Sequence, residues 1–112
     1  MKLAWLATSA LLVFVSTVGA AGTGSIERGK VLFNSTELGS NGSSCATCHP
    51  AGAGVENAGG KQTFNIMGQK PEGLEDAVNS CIKMALQGEH LEKDSQEMSN
   101  IVSYIESLND GK

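Results

Sequence analysis

The sequence predicts an all-α domain of about three main helices, wrapped around a large apolar body that the chain itself does not supply. Three observations carry this. Apolar residues recur at helical spacing in two stretches, and no stretch alternates as a half-buried strand does. The chain has 112 residues, of which the first twenty read as a leader, so only 92 remain to build a core. That remainder holds just three aromatics, Phe33, Phe64 and Tyr104, too little to fill the middle of a domain this small.

The leader is legible from its parts. Lys2 supplies a positive start, Leu3 to Val18 is an uncharged and mostly apolar run, and Val18-Gly19-Ala20-Ala21 provides small residues for cleavage after Ala20. The run is shorter than the roughly 20 apolar residues that span a bilayer, and small rather than basic residues follow it. Residues 1–20 are therefore expected to be a cleaved signal peptide and residues 21–112 the mature domain, exported to the periplasm with no membrane span. Losing Lys2 leaves 7 basic against 12 acidic side chains, a net charge of −5. An acidic surface with few aromatics argues against nucleic acid and anionic membranes as partners.

Ser25 is placed to cap a first short helix over Ile26 to Phe33. Asn34 to Ser44 is rich in Ser, Asn and Gly and reads as a loop, in which the sequons at Asn34 and Asn41 are incidental. A turn over Cys45 to His49 follows and is stopped by Pro50. Ala51 to Gly60 reads as a flexible Ala/Gly stretch. Its Gly52-x-Gly54 has Asn57 where a dinucleotide loop needs a third glycine, and no strand precedes it. A second helix is expected from about Leu74 to Leu86, with Leu74, Ala77, Val78, Cys81, Ile82 and Ala85 on one stripe and Gly88 as its stop. A third begins at Asp94 or Ser95, with Glu97 in capping-box position, and buries Met98, Ile101, Val102, Ile105 and Leu108 before Asn109-Asp110-Gly111.

The chemistry sits in Cys45-Ala46-Thr47-Cys48-His49. A Cys-x-x-Cys-His run is the attachment motif of c-type haem: two thiols spaced for the porphyrin vinyl groups, and an imidazole beside them for the iron. The other His49 ring nitrogen is expected to donate to a backbone carbonyl, fixing the tautomer. A redox Cys-x-x-Cys pair would sit in a βαβ pattern, and a zinc site would need a second ligand pair; the sequence has neither. One haem c, covalently held by Cys45 and Cys48 with His49 as proximal iron ligand, is the expected cofactor. It also explains how so small a core closes.

Gly29 and Phe33 on the first helix, the Cys45–His49 motif, and Tyr104 within Ile-Val-x-Tyr-Ile resemble the small class I cytochromes c over essentially the whole mature chain. That resemblance implies a cytochrome c-like fold in which the first and last helices cross at a glycine against an aromatic. It usually also implies a distal Met on a loop before the last helix. This chain departs there, having only Glu89-His90-Leu91-Glu92-Lys93 between Gly88 and Asp94. Met98 falls on the core stripe, Met67 is expected over a haem edge, and His90 reads as solvated. Cys81 and Met84 remain, on the second helix. At about 100° per residue Cys81 lies within roughly 30° of the apolar centre, and Met84 about 90° from it.

The segments Val78-Asn79-Ser80-Cys81, Gly88, Asp94-Ser95-x-Glu97-Met98 and Tyr104-Ile105 resemble the cytochrome domains of thiosulfate dehydrogenases and other sulfur-oxidation cytochromes. Some of those, like certain heterodimeric monohaem cytochromes, ligate haem by His and Cys. The resemblance implies Cys81 as the distal ligand, ahead of Met84 as the alternative. The expected function is periplasmic electron transfer without catalysis, since no nucleophile–base pair or paired acid and base stands in the sequence. Redox proteins are the expected partners, another small cytochrome as a heterodimer among them. The competing readings are a haem-based redox or NO/CO sensor module and a subunit of a sulfur-compound oxidoreductase.

Overall fold

The computed structural model describes residues 24–109. The expected leader peptide and its cleavage site lie outside them. Four helices and no strand occur among the described residues: α1 (Ile26–Asn34), α2 (Cys45–Cys48), α3 (Leu74–Met84) and α4 (Gln96–Ser107). The all-α expectation holds, with α2 as one extra turn around the cysteine motif.

Helix α1 starts where the sequence places it, the Ser25 hydroxyl accepting from the Arg28 N–H at 3.2 Å. It then lies against α4 with almost no spacing, because Gly29 presents no side chain. A β-carbon there would overlap the Asn100 carbonyl. One turn on, Phe33 meets Tyr104 edge to face, with ring centroids 5.1 Å apart. The buried Asn100 ties the start of α1 to this contact, its side-chain oxygen accepting from the Ser25 N–H at 2.8 Å. The first and last helices thus cross at a glycine against an aromatic.

The core forms where α3 and α4 turn their apolar stripes inward. Leu74, Val78 and Ile82 of α3 pack with Met98, Ile101 and Ile105 of α4, beside Phe33 and Leu86. Ile82, Met98 and Ile101 are completely enclosed. Met98 is a core residue, as its stripe position predicts. The cap of α4 is Ser95, whose hydroxyl accepts from the Met98 N–H at 3.2 Å, rather than a box running from Asp94 to Glu97. Helix α3 is shorter than its stripe suggests. It ends at Met84, and Gln87, not Gly88, takes the left-handed backbone at φ 55°.

Ala51–Gly60 is not a slack connector. It forms two 3₁₀ turns, Pro50–Gly52 and Ala58–Gly60. Gly52, at φ 80°, lies against Leu108, and Gly59 against Glu106. Composition pointed to flexibility here; close approach to the end of α4 is what the small residues serve.

Candidate functional site

The site is a cleft of about 110 Å³ with almost wholly apolar walls. Helix α2 contributes Cys45 and Cys48, with His49 just beyond it. Helix α3 contributes Leu74, Ala77, Val78 and Cys81; α4 contributes Ile101 and Ile105; α1 contributes Phe33. Phe64 and Ile66 close the remaining side.

Local hydrogen bonds aim the motif. The Ser44 N–H donates to Thr47 Oγ1 at 2.9 Å, so the second intervening residue of Cys-x-x-Cys pins the start of its own helix. His49 Nδ1 lies 2.8 Å from the Ala53 carbonyl oxygen. A carbonyl can only accept, so Nδ1 carries the proton and Nε2 is left as the ring's free lone pair. The carbonyl reaches that position because the chain reverses through left-handed backbone at Ala51 (φ 52°) and Gly52 (φ 80°). Gly54, at φ 90°, continues the left-handed reversal beside the imidazole. This is the outer-sphere partner expected for His49, supplied by a loop whose role the sequence did not reveal.

The three thiols converge on the one cleft and are free of disulfides. Burial pushes the Cys45 thiol up to about 11, and the nearby Cys81 sulfur adds to the effect. Burial, and then Cys48, raise Cys81 as well. Cys48 is exposed at the mouth.

The other sequence candidates lie elsewhere. Met84 is 37 % exposed and does not line the cleft. Met67 is 65 % exposed and also stands outside it, so the expected cover over a haem edge is a correction: Phe64 and Ile66 form that wall instead. The reason is backbone geometry, Met67 sitting at φ 51° in the tight turn between Ile66 and Gln69. His90 is exposed, in a polar groove of about 710 Å³ with Lys70, Lys83 and the Asp76–Lys93 ion pair. Asn79, unassigned from the sequence, holds the segment before α4: its amide donates to the Leu91 carbonyl at 2.9 Å and accepts from the Leu91 N–H at 2.7 Å.

A porphyrin fits these residues. The walls are apolar, and two thiols and an imidazole with a free nitrogen stand together on one turn at the cleft. A family model described as the SoxA/TsdA cytochrome c domain matches residues 28–112. No curated protein and no solved structure matches the chain.

Proposed function

Because the chain belongs to the SoxA/TsdA cytochrome c domain family, we propose that it is a periplasmic electron carrier with one covalent haem c and His49/Cys81 axial ligation. Haem supplies a one-electron ferric/ferrous couple when bound. Cys45 and Cys48 hold it by thioether links, and His49 offers Nε2 to the iron in an orientation set by the Ala53 carbonyl. Cys81 is the distal ligand, and its thiolate donates charge that favours ferric iron and lowers the reduction potential. The apolar walls from α3 and α4 exclude water from the iron.

One observation carries this reading: Cys81 lines the same cleft as Cys45, Cys48 and His49, whereas Met84 and His90 do not. It also accounts for the odd cysteine, since a thiolate bound to iron is protected from the oxidation that awaits a free thiol in an oxidising compartment. In this reading the protein carries electrons and has no catalysis of its own. The family match favours a second reading, a subunit that passes electrons within a sulfur-compound oxidoreductase, with another cytochrome as partner.

Electron paramagnetic resonance and optical spectra of the ferric protein test the ligand. Cys81→Ser is expected to abolish the thiolate signature and raise the potential, while Met84→Ala leaves both unchanged. An unaltered axial signature in Cys81→Ser rules out the assignment. Turnover of a sulfur or nitrogen compound by the isolated protein rules out the carrier.

A further inference from the structure

The loop between α1 and α2 does more than join them. Helix α3 opens at its C-terminal end: the Cys81 carbonyl accepts from both Ala85 N–H at 2.8 Å and Leu86 N–H at 3.2 Å, and Gly88 N–H reaches back to the Ile82 carbonyl at 2.9 Å. Such a widened turn leaves the carbonyls beyond it without helical partners. The loop takes three of them. Ser40 N–H donates to the Leu86 carbonyl at 2.9 Å, Ser40 Oγ to the Gln87 carbonyl at 2.6 Å, and Asn41 Nδ2 to the Ala85 carbonyl at 2.9 Å. Asn41 cannot turn away freely, because its Oδ1 accepts from the Ser43 N–H at 3.1 Å. The two backbones also touch: a β-carbon on Gly39 would overlap the Leu86 carbonyl, and one on Gly88 the Leu38 carbonyl.

These bonds join the two halves of the site. Asn41 is four residues before Cys45, and Ala85 is four residues after Cys81. We infer that Ser40 and Asn41 are positioning residues for the iron: their clamp on residues 85–87 sets the separation between the turn that carries Cys45–His49 and the turn that carries Cys81. The inference rests on Cys81 as distal ligand. Loosening the clamp leaves the haem attached through α2 and lets Cys81 leave the iron more often. Both clamp side chains are exposed, so truncating them opens no cavity in the core.

The test is carbon monoxide binding to the reduced holoprotein, where an external ligand must displace the distal one. Ser40→Ala/Asn41→Ala, which removes two of the three bonds, is expected to bind carbon monoxide about tenfold more tightly, with haem content and helix content unchanged. Ser40→Thr, which keeps the hydroxyl, restores the parent behaviour when paired with native Asn41. Parent-like carbon monoxide binding in the double variant overturns the clamp, provided Cys81→Ser alters the ferric axial signature. If Cys81→Ser itself leaves that signature unchanged, the ligand assignment is wrong and the clamp's role falls with it. Should the double variant lose haem, Asn41→Ala alone decides: about threefold tighter binding supports the clamp, and no change overturns it.

Discussion

Replacing Gly29 by alanine sets helix propensity against packing, and the two predict opposite signs. Alanine in mid-helix is better than glycine by about 1 kcal/mol. At this position, however, the new β-carbon would overlap the Asn100 carbonyl oxygen and lie 2.6 Å from the carbonyl carbon and 2.7 Å from Tyr104 Cβ. Carbon–carbon contacts settle near 3.5 Å and the carbonyl oxygen lies closer still, so α1 and α4 must part by about 1 Å or more, which forfeits roughly half of each dispersion contact between them. Overpacking of this kind costs about 1–3 kcal/mol. The Ser25–Asn100 hydrogen bond adds about 1 kcal/mol, and the weakened Phe33–Tyr104 pair about half as much. After the propensity gain is subtracted, the net loss is about 2.5 kcal/mol, or roughly 10–20 °C in melting temperature for a domain of this size. Thermal unfolding of the holoprotein, followed by far-ultraviolet circular dichroism, measures it. Gly60→Ala is the control, since its β-carbon meets nothing within 4 Å. A Gly29→Ala protein as stable as the parent, or more so, refutes the close crossing.

Two further outcomes follow from named contacts. Asn79→Ala removes both bonds to the Leu91 backbone. It should speed hydrogen exchange at the Leu91 amide about tenfold and leave the α4 amides unaffected; uniform acceleration along the chain is the contrary result. In the haem-free chain the Cys45 thiol is raised from an ordinary 9.0 to about 11 by burial and by Cys81. Above pH 9 the unfolded chain loses this proton first and so binds fewer protons than the folded one. Stability therefore falls as pH rises from 9 towards 11 and is indifferent to this group below 9. Denaturant titrations across that range measure the slope, which Cys45→Ser should flatten; an unchanged slope in that variant contradicts the buried thiol.

Periodicity and motif made much of this molecule readable in one dimension. The stripes of α3 and α4 predict helices because burial on one side enforces a 3.6-residue repeat. The Ser25 cap follows from local hydrogen-bonding rules, the Gly29–Tyr104 crossing is implied by the resemblance to class I cytochromes c, and Cys45-x-x-Cys48-His49 points to haem because its spacing suits that cofactor. Other roles depend on partners far away in the chain. The loop from Asn34 to Ser44 has a linker's composition, and only the fold brings Ser40 and Asn41 to the carbonyls of residues 85–87. Ala51–Gly60 has a flexible composition, and its small residues instead serve close contact with Leu108 and Glu106. Met67 lies away from the cleft because of its positive φ, which no periodicity reveals.

The motif that implies haem c, and the histidine expected to face its iron, are thus legible in the sequence alone, because five adjacent residues carry the chemistry. The surroundings of the distal position are not. Cys81 and Met84 stand one turn apart on the same helix, and helical spacing ranks them without placing either beside His49. Only the packing of α3 against α4 decided which side chain faces the cleft. It brought Cys81 to the thiols of α2 and left Met84 at the surface.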